Sequence, residues 1–202
     1  MAKSRRDSAD YYTLKAQKEG YPARSVYKLE EIQQKHNIIK KGDKVLDIGA
    51  APGSWSLYTH RRLIKGVGLI VSVDLKPLAL DSVPPTIISL TGDAFSQEIS
   101  NQIAELGPFD AIISDAAPNT TGNKGIDTLR SESLVEQVIL TAEKHLKVGG
   151  NLVVKLFQGS GERELLNQVR SLFEKAKAFK PQASRSDSYE IFLIGLSKKQ
   201  NS

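Results

Sequence analysis

The sequence predicts an α/β domain built on a mainly parallel sheet. Short runs of Val, Ile and Leu recur without polar alternation, as strands covered on both faces require. Segments with helical spacing or helix-stop chemistry separate these runs, and glycine-containing turns join the two kinds of element. At 202 residues and 40% hydrophobic content, the chain is long enough to close one substantial core.

Val26, Leu29 and Ile32 recur at helical spacing, which predicts an amphipathic helix over Arg24–His36. KGDKVLDIGAAPGSW then gives a turn, a buried strand at Val45–Ile48, a glycine-containing loop and the start of a helix. GLIVSVD, from Gly68 to Asp74, is a second strand, and Thr86–Leu90, preceded by Pro84 and Pro85, a third. A helix near Ser96–Leu106 leads into a fourth strand, FDAIISD, from Phe109 to Asp115. A long helix at about Thr128–Leu146 stops at Gly149 and Gly150. NLVVKLFQG follows as a strand, then a helix at about Glu162–Glu174 and strands near Ala176–Lys180 and Tyr189–Leu196. The short connection between these last two makes them antiparallel.

No cysteine is present, which excludes disulfides and thiolate metal sites, and three scattered histidines argue against any metal centre. No apolar run has the length of a membrane helix and no signal peptide is visible, so a cytoplasmic protein is expected. The opening MAKSRRDSAD is expected to be a solvated tail, since Asp7 and Asp10 do not suit a transit peptide. Asn119-Thr120-Thr121 is then a chance match to a glycosylation sequon. A net charge of +5 favours an anionic partner, with nucleic acid the first candidate. Lys3, Arg5, Arg6, Lys15, Lys18, Arg24 and Lys28 are interleaved with Tyr11, Tyr12, Tyr21 and Tyr27. Cations beside stackable rings suit RNA, although an amphipathic helix face looks the same.

In a parallel α/β sheet, ligands bind beyond the carboxyl ends of the strands at a topological switch point. Asp74, Asp115 and Lys155 fall at or near the ends of apolar strands, and the glycine loop follows the first strand. Lys155 is the most unusual of these, framed by Leu152, Val153, Val154, Leu156 and Phe157. A buried ammonium loses several kcal/mol of hydration unless it is paired or discharged.

DIGAAPG (Asp47–Gly53) is a strand, tight turn and helix start that lets backbone approach a ligand. About two dozen residues on, Asp74 ends the next strand, where a carboxylate takes ribose hydroxyls. These features indicate an adenosine-containing ligand. Ala50, Ala51 and Pro52 replace the glycine pattern that seats a pyrophosphate, so S-adenosylmethionine (SAM) fits better than a dinucleotide. Asp93 suits either an acceptor for the adenine amino group or the N-cap of the following helix. Trp55 suits either the pocket or the packing of its own helix.

Lys28 in YKLEEI, Asp115 in SDAAPN, Lys155 in VVKLFQG and Glu190 in SYEIFLI match, in order, the Lys-Asp-Lys-Glu tetrad of RNA ribose 2′-O-methyltransferases. With DIGAAPGSW, they make the chain resemble the FtsJ/RrmJ (RlmE) ribosomal RNA methyltransferase family from about Arg24 to Leu196. SDAAPNTTG and FQG resemble its ribosomal branch more than its tRNA-anticodon branch. Pro22-Ala23-Arg24-Ser25 departs from the family's basic R-S-R-A, Ser54 replaces a common second glycine, and Ala94 stands where phenylalanine is frequent.

The resemblance implies a Rossmann-like class I SAM-dependent methyltransferase fold. Its sheet would be seven-stranded and mainly parallel with an antiparallel last strand, and helices would cover both faces. A basic segment at 1–20 would precede one domain at 21–198 and a tail at 199–202. The implied cofactor contacts are Gly53, Trp55, Asp74, Asp93 and Asp115, and the implied tetrad is Lys28, Asp115, Lys155 and Glu190. The implied substrate is a uridine ribose of large-subunit ribosomal RNA, within the assembled subunit, and the enzyme is expected to be a monomer. Lys155 is expected to accept or steer at the 2′-hydroxyl, Lys28 and Glu190 to orient the ribose, and Asp115 to hold Lys155. Singly, Lys28 suits a solvated helix, Asp115 a loop cap and Glu190 an edge-strand charge; their order carries the assignment. The competing readings are a nicotinamide oxidoreductase, a non-catalytic RNA-binding assembly factor, and the same chemistry on tRNA or cap ribose.

Overall fold

A computed structural model describes residues 11–185 and 188–200. The expected solvated tail, residues 1–10, lies outside the described residues. Seven strands form one sheet in the order β3-β2-β1-β4-β5-β7-β6. They are β1 (Lys44–Ile48), β2 (Leu69–Asp74), β3 (Ile87–Thr91), β4 (Phe109–Ser114), β5 (Leu146–Phe157), β6 (Phe173–Phe179) and β7 (Glu190–Lys198). The first five run parallel, and β7 is inserted antiparallel between β5 and β6. This is the Rossmann-like arrangement expected.

Helices cover both faces, and the period-2 alternation of strand side chains divides the core accordingly. On one face Val45, Ile70, Ile113, Val153 and Phe192 meet α1 (Tyr11–Lys18), α2 (Val26–His36) and α3 (Ser54–Tyr58). On the other, Leu46, Val71, Ile112, Leu152 and Leu193 meet α4 (Gln97–Leu106), α5 (Lys124–His145) and α6 (Glu162–Leu172). A turn of π-helix, Thr59–Leu63, continues α3.

Three boundaries differ from expectation for identifiable reasons. The Asn123 side chain accepts from the Gly125 and Ile126 amides, so α5 begins four residues earlier than the apolar spacing indicated. Gly149 and Gly150 do not lie in a loop after that helix. β5 starts at Leu146 directly after α5 and runs through both glycines. The region expected to be only a basic segment contains α1, whose Ala16 is buried in the core.

For the tyrosines of that region, the structure favours the amphipathic-face alternative. Tyr21 and Tyr27 are buried, and Tyr12 packs against the same core. The Tyr27 hydroxyl donates to Glu19, and burial followed by this bond pushes its pKa well up. Of the four rings proposed to stack on RNA, Tyr11 alone stands open to solvent.

Candidate active site

Register brings the tetrad together. Counting by twos, Ala111, Ile113 and Asp115 continue one line along and beyond β4, and Val153, Lys155 and Phe157 do the same in β5. Both lines face the α2 side of the sheet, where Ile113 and Val153 are buried. Glu190 pairs with Phe157 and Phe192 with Lys155 across the β5–β7 ladder, so Glu190 shares that side. Because β7 runs opposite to β5, its first residue reaches the rim where β1, β4 and β5 end. Lys28 descends onto the rim from the first turn of α2.

At this rim Lys155 Nζ lies 2.9 Å from Asp115 Oδ1 and also donates to the Asp115 carbonyl oxygen. Lys28 Nζ lies 2.6 Å from Glu190 Oε1 and 3.9 Å from Asp115 Oδ1. The Ser184 hydroxyl donates to the same Glu190 oxygen at 2.9 Å. Lys155 and Glu190 are 9% and 8% exposed, so the charges are removed from bulk water and balanced two against two. Burial alone would raise the Glu190 pKa. The Lys28 ammonium, the Ser184 hydroxyl and Lys155 together outweigh it and hold the carboxyl below its ordinary value. The interior place of β7 removes the edge-strand explanation for Glu190.

The part of the rim where the sequence leads one to expect cofactor contacts forms around β1 and β2. Gly49 takes φ 77° and approaches Ala116 so closely that an added Cβ would lie 2.6 Å from its Cα. Gly53 takes φ 114° with Leu80 against it. Asp74 Oδ2 accepts from the Ala51 amide and Oδ1 from the Lys76 amide, which ties the glycine loop to the end of β2. Between Asp47 and Trp55 there is no Lys or Arg, while carboxylates stand at 47, 74 and 115. Such a loop suits hydroxyls and a cation better than a phosphate.

Two residues with open alternatives are placed differently from one another. Trp55 packs: its ring is buried beside Phe192 and its Nε1 donates to the Ser25 carbonyl at 2.8 Å. Only its backbone remains to meet a ligand. Asp93 is not the helix cap; Ser96 is, accepting from the Ile99 amide. Asp93 is exposed and accepts from the Phe95 amide as an Asx turn, three residues before the true cap.

Sequence reasoning gave no role to Asp47 by itself. It is completely buried, takes the Ser56 hydroxyl at 2.6 Å on Oδ2, and has no partner for Oδ1. Burial first, with the Asp115 and Asp74 carboxylates, raises its pKa to about 7 against the opposing Ser56 bond. Above the unfolded-state pKa of about 3.9 the unfolded chain releases a proton that the folded chain keeps. Stability from this group is therefore fully present below that pH and is lost as pH rises towards about 7. Asp47→Asn is expected to remove the slope, closing a difference on the order of a few kcal/mol between pH 5 and pH 8. Urea unfolding of both proteins at the two pH values reads it, and parallel slopes would count against the assignment.

Other contacts without a sequence signal hold the site. Ser54, the departure from glycine, accepts from the Ala23 amide at 2.7 Å and ties α3 to the segment before α2. Asp127 accepts from the Thr121 amide and hydroxyl and the Gly122 amide, folding the loop after β4. Arg24, Lys28, Thr120, Phe157, Tyr189 and Glu190 line a cavity of about 410 Å³ on the β5–β7 side.

Residues 21–198 match the FtsJ-like methyltransferase family. Ribosomal RNA large subunit methyltransferase E of Treponema denticola is 51% identical over 98% of this chain and 100% of its own length. Among solved structures, a protein described as a ribosomal RNA methyltransferase from Plasmodium falciparum is 28% identical. It has a TM-score of 0.78, covering 90% of this chain and 100% of that one. Human methyltransferase-like protein 13 in complex with SAH has a TM-score of 0.60 at 13% identity, covering 88% and 82%; it shares the fold. With residues 21–198 matched by the family model and a 51% identical relative covering 98% of its length, the chain belongs to the FtsJ-like methyltransferase family.

Proposed function

We propose that this protein transfers a methyl group from SAM to a ribose 2′-hydroxyl, on a uridine of large-subunit ribosomal RNA. One observation carries the reading. Lys155, Asp115, Lys28 and Glu190 join at a single rim, with the glycine loop on the β1 side and a nucleotide-sized cavity on the β5–β7 side. The 51% identical relative, itself called a large-subunit ribosomal RNA methyltransferase, supports the substrate. No helix among the described residues is long and apolar enough to cross a membrane. The proposed setting is a monomer acting on the large subunit in the cytoplasm.

When bound, SAM supplies an electrophilic methyl on a sulfonium. Gly53, the Trp55 backbone, Asp74 and Asp93 would hold it, with Asp115 facing its cationic end. Asp74 retains lone pairs beyond its two amide bonds for ribose hydroxyls. Asp115 is the hub, since Oδ1 faces both lysines. Lys155 makes an ion pair and a hydrogen bond to Asp115 and keeps one position for the 2′-oxygen, which it steers in line. Acting as the free amine, it takes the hydroxyl proton on its lone pair as the methyl bonds to oxygen and leaves sulfur, and ends as the ammonium paired with Asp115. Lys28, fixed by Glu190, holds the ribose in place. Alignment of this kind lowers the barrier by removing entropy before the reaction, and the buried charges act strongly because water is excluded.

Labelled SAM incubated with undermethylated large subunits, small subunits and free tRNA tests the reading. Label is expected on the large subunit alone, at one nucleotide whose 3′ linkage resists alkali. Label on a base, transfer only to tRNA, or RNA binding without transfer would overturn it.

A further inference from the structure

The cavity on the β5–β7 side has a composition that the tetrad does not explain. Its volume, about 410 Å³, lies in the range of small-ligand pockets, roughly 300–1,000 Å³. One wall is aromatic: Phe157 and Tyr189 are both half-buried, with ring centroids 4.9 Å apart at 55°. Two backbone hydrogen bonds and one cation brace the pair. The Gln158 amide donates to the Tyr189 carbonyl, the Phe157 amide donates to Ser131 Oγ, and Lys124 Nζ stands 5.1 Å from the Tyr189 ring centroid. Thr120 and Ser188 add hydroxyls to the lining, and Arg24 and Arg185 add positive charge. Burial and the Arg185 cation lower the Arg24 pKa, so two like charges face one space. The floor is Lys28 and Glu190, the outer half of the tetrad.

We propose that this cavity seats the flipped-out target nucleobase, with Phe157 and Tyr189 as the wall against which the base lies. The inference rests on the proposed RNA ribose methylation and adds the residues that choose and hold the nucleotide. Geometry supplies the reason. A 2′-oxygen presented to Lys155 leaves its own base one sugar away, and the side of β5 and β7, where the cavity lies, is the side away from the glycine loop. A base there exchanges stacking inside the RNA for contact with an aromatic wall, the means by which single-stranded or extruded bases are held. Tyr189 precedes Glu190 in the chain, so the wall and the tetrad are set by the same strand end. Tyr189 is accordingly a positioning residue for the substrate.

Wild type, Tyr189→Ala, Tyr189→Phe and Phe157→Leu are compared for transfer to undermethylated large subunits, SAM affinity and melting temperature. Tyr189→Ala is expected to raise KM for the subunit about tenfold or more, with SAM affinity and melting unchanged. Tyr189→Phe keeps the ring and is expected to restore wild-type KM. Phe157→Leu is expected to raise KM in the same direction. A subunit carrying 4-thiouridine at the methylated position should crosslink to a peptide containing Phe157 or Tyr189. Wild-type KM in Tyr189→Ala, or a crosslink elsewhere while wild type methylates the subunit, overturns this inference and leaves the methylation reading standing. Failure of wild type to methylate any ribose sinks the methylation reading and this inference with it.

Discussion

Lys155→Ala is expected to lower single-turnover methyl transfer by about 10³-fold while SAM affinity stays near that of the wild type. The separation follows from where the lysine stands. Its nitrogen touches Asp115 and lies on the α2 side of β5, whereas the glycine loop and Asp74 belong to β1 and β2, on the other side of β4. Removing it deletes the proposed contact to the 2′-oxygen and leaves the glycine loop's own bonds, Ala51 to Asp74 and Ala79 to Pro52, in place. Stability should fall modestly, because Asp115 loses its nearest cation and keeps Lys28 only at 3.9 Å. Lys155→Arg retains charge and is still expected to fail, since a planar guanidinium cannot reproduce a single nitrogen held between two oxygens of one residue. Calorimetric SAM binding beside single-turnover kinetics reads both halves. Wild-type rates in Lys155→Ala would remove Lys155 from the reaction.

The strands were legible because burial on both faces leaves continuous runs of Val, Ile and Leu, and the rim followed because charged residues ended those runs. Lys155 could be singled out since no apolar strand keeps an ammonium without partners, and the partners are there. The side on which Lys155, Asp115 and Glu190 meet needed register, which sequence does not state; the insertion of β7 between β5 and β6 decides it. Tyr21 and Tyr27 stay open between two readings in the sequence because a helix face made of rings and lysines has one pattern for RNA contact and for snorkelling over a core. Here Lys15 lies 4.2 Å over the Tyr27 ring and shields it from solvent. The Ser54 bond to Ala23, the Ser184 bond to Glu190 and the Phe157–Tyr189 wall span distant segments, and no local spacing announces such contacts. Asp93 failed as a cap by three residues, since Ser96 offers equal capping chemistry in the same turn.

Gly49→Ala is expected to damage both halves of the site at once. The residue sits at φ 77°, where a side chain costs roughly 1–2 kcal/mol. Gly122 sits at a similar φ, 83°, with nothing near its missing side chain, so Gly122→Ala measures that backbone cost alone. At Gly49 the new methyl would lie 2.5 Å from Ala116 Cβ, 2.6 Å from its Cα and 2.8 Å from its nitrogen. These belong to backbone, or to a Cβ fixed by it, so relief requires the loops after β1 and β4 to part. The residue before Ala116 is Asp115, and the loop that carries Gly49 is the one Asp74 holds. A shift large enough to restore van der Waals contact therefore moves the tetrad's hub away from the cofactor loop. Gly49→Ala should lose about 1–3 kcal/mol more stability than Gly122→Ala, the usual cost of overpacking a tight interior contact. It should also bind SAM at least tenfold more weakly and turn over more slowly, neither of which backbone strain at Gly122 produces. Denaturant unfolding and SAM titration of the two variants side by side make the comparison. If the two unfold alike and bind SAM alike, the approach of Gly49 to Ala116 does not set the spacing between cofactor and tetrad.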